Sequence, residues 1–159
     1  MDAPQLMFEE EFEKIQHVCD QLYQDSNSKV VFIVDKNGQP IAASGELEDL
    51  DITSLASLTA GNIAATGGMA SLLEEQEFST QFHEGENSNI HIQIVGQRVI
   101  LVVIFDQQSS LGLVRLRVRK SSQELNAIFD RLVQKAQTPG VASPLDEITD
   151  DDIENLFND

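Results

Sequence analysis

The sequence predicts a mixed α/β domain, an α+β sandwich in the order α-β-β-α-β-β-β-α, with a five-stranded, mostly antiparallel sheet between helices and an acidic tail helix behind it. Three observations carry this reading. Apolar residues recur at three- and four-residue steps in segments 7–25, 51–75 and 111–136. Short runs rich in β-branched residues stand between them, K-V-V-F-I-V-D at 29–35 and V-I-L-V-V-I-F at 99–105. Turn residues separate the runs: Asn37-Gly38, the G-E-N-S stretch at 85–88, and Gly96-Gln97.

The first helix sets Phe8, Phe12, Ile15, Val18 or Cys19, and Leu22 on one face, and Glu9, Glu10, Glu11 and Glu13 are placed to favour its N-terminal dipole. The run 29–35 reads as a buried strand, and Asn37-Gly38 turns the chain into a second strand at 39–44. Pro40 has no N–H to give to a ladder, so that strand belongs at a sheet edge. Helix 51–75 follows, with Asp51 as its N-cap. Strands are expected at 78–84, 89–95 and 98–105, the last apolar on both faces and therefore mid-sheet. Segment 111–136 carries two patterns. Val114, Leu116 and Val118 alternate with Arg115, Arg117 and Arg119 as in a strand, whereas Leu111, Val114, Val118, Leu125, Ile128 or Phe129, and Leu132 fit a helix. Length decides for the helix, because strands usually run about 3–10 residues.

Composition bounds the function. A chain of 159 residues forms one domain, 1–137, with a Pro- and Gly-containing linker at 138–144 and a tail at 145–159. The net charge of −17 argues against nucleic-acid binding and favours basic protein partners or solubility. No apolar run approaches the roughly 20 residues of a membrane span, no secretory leader pattern opens the chain, and the lone Cys19 suits a reducing cytoplasm. Charge is uneven. Residues 138–159 hold seven acids and no Lys or Arg, whereas 111–137 holds six of the ten basic residues.

The central helix is the most informative element. Leu55, Leu58, Ala65, Met69 and Leu72 mark the face expected to lie on the core. Ser57, Gly61, Ala64, Gly68 and Ser71 mark a second face without a large side chain. A glycine inside a helix costs about 1 kcal/mol relative to alanine, so Gly61, Gly67 and Gly68 point to close approach by another backbone, hence to docking. In the tail, Ile153, Leu156 and Phe157 form a short apolar stripe that reads as a docking peptide, with Thr149 and Asp152 resembling a cap. The same tail has a second use, covering the basic residues Arg115, Arg117, Arg119 and Lys120.

Catalytic chemistry is weakly signalled. The stretch G-N-I-A-A-T-G-G lacks the Gly-Lys-Ser/Thr of a phosphate loop. His17 and Cys19 do not share a helix face, and His83 and His91 lack a third ligand for a metal. Arg98, Arg115, Arg117 and Arg119 read as structural or solvated arginines rather than as a residue inserted into a partner's active site. No cofactor, metal or catalytic residue is expected.

The element order resembles the roadblock/light-chain-seven fold, and more sharply the MglB group of bacterial polarity proteins. The resemblance rests on E-E-E-F-E-K-I, K-V-V-F-I-V-D-K-N-G-Q, S-L-A-S-L-T-A-G-N-I-A-A, Q-F-H-E-G, R-V-I-L-V-V-I-F-D, S-L-G-L-V-R-L-R and the D-D-D-I-x-N-L-F terminus. It implies a homodimer with a sheet continuous through strand 78–84 and its central helices side by side. It also implies a cytoplasmic regulator, associated in the family with a cell pole, that binds the GTP state of a small Ras-like GTPase of the MglA type. Such a regulator accelerates hydrolysis by repositioning the partner's own residues, without an inserted arginine. By the same resemblance Ala64 and Gly68 face the GTPase, and Ile153, Leu156 and Phe157 add a tail contact. A passive adaptor of the same fold is the competing reading.

Overall fold

Two runs of β-branched residues dictate the centre of the molecule, because Val and Ile fit a pleated surface covered on both sides. A computed structural model describes residues 3–137. These runs form β1 (Val30–Asp35) and β5 (Val99–Phe105), paired antiparallel and buried along their whole length. β2 (Pro40–Gly45) flanks β1, while β4 (Asn89–Val95) and β3 (Thr80–Glu84) extend the sheet beyond β5. The order is β2-β1-β5-β4-β3, with every neighbouring pair antiparallel. Pro40 lies on an edge strand, as its missing N–H requires, and the ladder shifts register between Ile33 and Val34 opposite it.

The turns follow their residues. Gly38 has φ +91°, and buried Asp35 accepts from the N–H groups of Asn37 and Gln39 at 2.9 Å each, tying the β1–β2 loop. Gly96 and Gln97 both have positive φ, the type I′ geometry that matches strand twist.

Helices cover the two sheet faces unequally. α1 (Ala3–Asp25) and α3 (Leu111–Gln137) lie together on one face. There Ile15, Cys19, Leu22, Leu125, Phe129 and Leu132 pack on Val31, Ile33, Leu101 and Val103. α2 (Ile52–Leu72) lies on the other, where Ala56 and Ile63 pack on Val30, Phe32, Val34, Ile100, Val102 and Ile104. Residues 111–137 are helical from the first residue, so the strand pattern of Arg115, Arg117 and Arg119 does not prevail.

Two expectations for α1 change. The helix starts at Ala3, so Glu9, Glu10, Glu11 and Glu13 stand beyond its first turn and do not serve its dipole. Phe12 is exposed, and Glu11, at 1% exposure, occupies the inner stripe one turn before Ile15. The side chain of Phe8 is outside those described. Glu11 Oε1 accepts from Lys135 Nζ at 2.9 Å and meets Lys14 Nζ at 3.5 Å, while Oε2 lies 3.6 Å from Arg131 Nε. A carboxylate thus clips α1 to the last turns of α3.

Burial pushes the Glu11 pKa up, and the Lys135, Lys14 and Arg131 charges outweigh burial and hold it below its ordinary 4.5. Its stabilising contribution is therefore complete above that value and is lost as pH falls through the lowered pKa. Glu11→Gln should cost about 1–3 kcal/mol near neutrality, the scale of a charge-assisted hydrogen bond. Thermal unfolding of both forms from pH 7 downward checks this: the difference in Tm shrinks in the acid range. A difference independent of pH would show that the ion pairs contribute nothing.

Candidate protein-docking face

α2 begins at Asp51, whose carboxylate accepts from Ser54 N–H at 3.0 Å and from Ser54 Oγ at 2.6 Å, the capping role expected of it. These bonds hold the Asp51 pKa below its ordinary value. The face on the sheet differs from the expected one. Ala56, Thr59, Ile63 and Ala70 are buried, whereas Leu58 is 71%, Met69 57% and Leu72 86% exposed. Ala65 is exposed with them, and of the expected core face only Leu55 packs inward, half-buried. The helix rests on mostly small side chains and turns its larger ones outward. That reversal follows from a sequence apolar around nearly its whole circumference, with no charged residue between 52 and 72.

Ser57, Gly61, Ala64, Gly68 and Ser71 are exposed, so the small-residue stripe adjoins the Leu58–Met69–Leu72 stripe on one outer surface. A Cβ added at Gly61, Gly67 or Gly68 meets nothing within 4 Å. No described residue packs against those glycines. A contiguous, uncharged, apolar surface of this kind marks a protein-interaction site.

The surface is held firmly. Asn62 Nδ2 donates to Gln81 Oε1 at 2.8 Å, and Gln81 Nε2 donates to Thr66 Oγ1 at 3.0 Å. Thr66 Oγ1 in turn donates to the Asn62 carbonyl at 2.9 Å, so a polar clip fastens edge strand β3 to α2. Beside it lies an apolar groove of about 320 Å³ between α2 and the sheet, lined by Leu55, Leu58, His83, Ile90 and Ile92 among others. β3 is the terminal strand of the sheet and, among the described residues, pairs only with β4, leaving its outer backbone groups open to another strand.

The basic residues separate. Arg115 and Arg119, one turn apart, line a groove with His91, Gln93, Thr80 and Ser122. Arg117 and Lys120 turn toward Gln21 and Asp25 of α1. The four expected to form one patch under the tail therefore make two. Arg98 is paired with Asp130 at 2.6 Å on the α3 side. Every arginine of the chain, Arg131 included, thus stands on α3 or bonded to it, across the sheet from α2. The tail candidates Ile153, Leu156 and Phe157, the linker 138–144 and the Thr149 cap lie outside the described residues.

Among the described residues, no three of His, Cys, Asp and Glu are grouped to hold a metal. Cys19 is buried, donates to the Val31 carbonyl at 3.4 Å, and its thiol is pushed up to about 12 by burial. His91 is buried too; burial, then the Arg115 charge, holds its pKa down. Sequence reasoning missed the Asn62–Gln81–Thr66 clip and the roles of Glu11 and His91. For Glu11 a signal existed: it sits four residues before Ile15 and eight before Cys19, on the buried stripe.

Residues 14–105 match the Roadblock/LC7 domain family. No curated protein sequence matches the chain. Among solved structures, Myxococcus xanthus MglB is 60% identical with a TM-score of 0.75, covering 76% of this chain and 91% of that one. The gliding protein MglB of Thermus thermophilus is 28% identical with a TM-score of 0.70, covering 82% of this chain and 94% of that one. An MglB described in a tetrameric arrangement is 26% identical with a TM-score of 0.71, covering 82% and 93%. By fold, by the matched segment and by this degree of identity, the chain belongs to the Roadblock/LC7 family and is an MglB-like protein.

Proposed function

We propose that this protein is a homodimeric GTPase-activating partner of a small Ras-like GTPase of the MglA type, and that the paired α2 helices form its docking platform. The observation that carries the reading is the outer face of α2: contiguous, uncharged, rich in small residues, and fastened to a five-stranded sheet. A mobile switch segment becomes ordered against a surface that is both closely approachable and stiff, and this face has both properties. The edge strand β3 offers the route to a sheet shared by two subunits.

The face carries no arginine, lysine or carboxylate within α2. It acts by placing the partner's own catalytic groups rather than by adding one. The tail, through Ile153, Leu156 and Phe157, supplies a second contact, and the complex forms in the cytoplasm and concentrates at a cell pole. No helix among the described residues is long and apolar enough to cross a membrane.

Single-turnover GTP hydrolysis by an MglA-type GTPase, with increasing amounts of this protein, tests the proposal. Saturable acceleration on the order of 100-fold, the scale that correct positioning supplies, is the expected result. Binding without acceleration would make the protein an adaptor. Replacing Leu156 and Phe157 with Ser, which keeps all seven tail acids, should weaken binding. Unchanged affinity would remove the tail from the interface.

A further inference from the structure

Six of the ten basic residues have acidic partners: Lys14, Arg131 and Lys135 with Glu11, Lys29 with Asp106, Lys36 with Glu77, and Arg98 with Asp130. The other four, Arg115, Arg117, Arg119 and Lys120, have no ion pair among the described residues, in a chain of net charge −17. Arg115 and Arg119 open onto a groove of about 560 Å³ between the first half of α3 and strands β3 and β4. Its floor holds a second, independent feature. His91 is 1% exposed and its Nδ1 has no hydrogen-bond partner, and Ser122 Oγ, also on the groove, has none. Buried polar atoms left without partners are costly and rare. Two exposed arginines without ion pairs, on a groove lined by the polar side chains of His91, Ser122, Gln93 and Thr80, describe a site for carboxylates.

We propose that this groove binds the acidic segment 146–154 of the chain's own C-terminal tail. The segment reads D-E-I-T-D-D-D-I-E, with no basic residue anywhere in 138–159. Reach permits it. α3 ends at Gln137, and the helix rise of about 1.5 Å per residue puts Arg119 roughly 27 Å back along it. The eight residues from 138 to 145 extend to about 26–29 Å, so the acids that follow arrive at the groove. Tethering also raises the local concentration of the tail to about the millimolar range, so weak charge pairs suffice. Arg115 and Arg119 meet the carboxylates, and His91 and Ser122 lie beneath them as lining of the groove. The docked tail lies across the sheet from α2, on the face away from the proposed GTPase platform, so the tail must leave the groove to join that complex. The self-docking itself requires no GTPase and is tested without one.

The test uses the full-length chain, ¹⁵N-labelled, with a nitroxide on the variant Asn155→Cys; buried Cys19 stays unlabelled. Paramagnetic broadening is expected at the amides of Thr80, His91, Gln93, Arg115 and Arg119. The double variant Arg115→Glu, Arg119→Glu should reduce it about fivefold or more, as should roughly 1 M salt, which shortens the screening length to about 3 Å. Both arginines are exposed, so the double variant folds. Lys120→Glu, off the groove, should retain most of the broadening. No broadening at the groove would overturn the proposal, and so would broadening indifferent to the double variant. Equal broadening of labelled, untagged chain mixed with tagged, unlabelled chain would assign the groove to a second copy and overturn self-docking.

Discussion

Gly68→Arg should abolish binding of the proposed GTPase partner, by 100-fold or more, while the protein stays folded and keeps the proposed dimeric state. An arginine at position 68 stands on the outer face of α2, where an added Cβ meets nothing within 4 Å among the described residues. Within the monomer the change is favourable: replacing an exposed helical glycine gains up to about 1 kcal/mol of helix propensity. Toward a partner it is severe. A long cation enters a surface that is uncharged and small, and it must either hold the partner away or be buried without a counter-ion. Several kcal/mol is the usual cost of an uncompensated buried charge, and about 2.8 kcal/mol already corresponds to 100-fold. Ala64→Arg should act alike, four residues earlier on the same face.

The measurement is a titration of the GTP-loaded partner, with melting temperature and solution mass recorded for each variant. Raised or equal Tm, dimeric mass and lost binding support the assignment of this face. If the variants become monomers or aggregates, the small-residue stripe serves the dimer instead, and the GTPase docks elsewhere.

Phe129→Ala should destabilise the protein by about 3–5 kcal/mol, the cost of emptying a buried phenylalanine site. Total stability of a domain is typically about 5–15 kcal/mol, so the variant sits near the edge of folding. The family match ends at residue 105, before α3 begins. Yet α3 buries Val114, Val118, Leu125, Ile128, Phe129 and Leu132 against α1 and the sheet. Without that helix the α1 side of the core, with Val31, Ile33, Leu101 and Val103, would lose much of its cover. Urea unfolding compares the two forms: the midpoint should fall sharply with the slope unchanged. A loss below about 1 kcal/mol would make α3 an appendage rather than part of the core.

Features set by neighbours in the chain were legible in the residues alone. β1 and β5 announce themselves because Val and Ile in unbroken runs suit strands covered on both faces, and Pro40 places its strand at an edge because it has no N–H. Asp51 caps α2 through Ser54, three residues away, and Gly38 and Gly96 turn the chain where positive φ is needed. In each case the deciding interaction spans a few residues, so spacing records it.

The burial of α2 was not legible in this way. Its sequence is apolar on nearly every side, so periodicity offers two competing faces. The choice fell to close contact with the sheet, which favours Ala56, Thr59 and Ala70 over Leu58, Met69 and Leu72. That choice moved the large apolar residues onto the surface beside the glycines and created the candidate docking face. Long-range pairing decided the rest. Glu11 finds Lys135 across 124 residues, and the helical path of α3 sends Arg115 and Arg119 to one groove and Arg117 to another. A sequence by itself determines which residues are fit to be buried or charged-paired. Only the tertiary structure decides which of several fit surfaces is covered, because that depends on contacts between segments whose mutual distance no local spacing encodes.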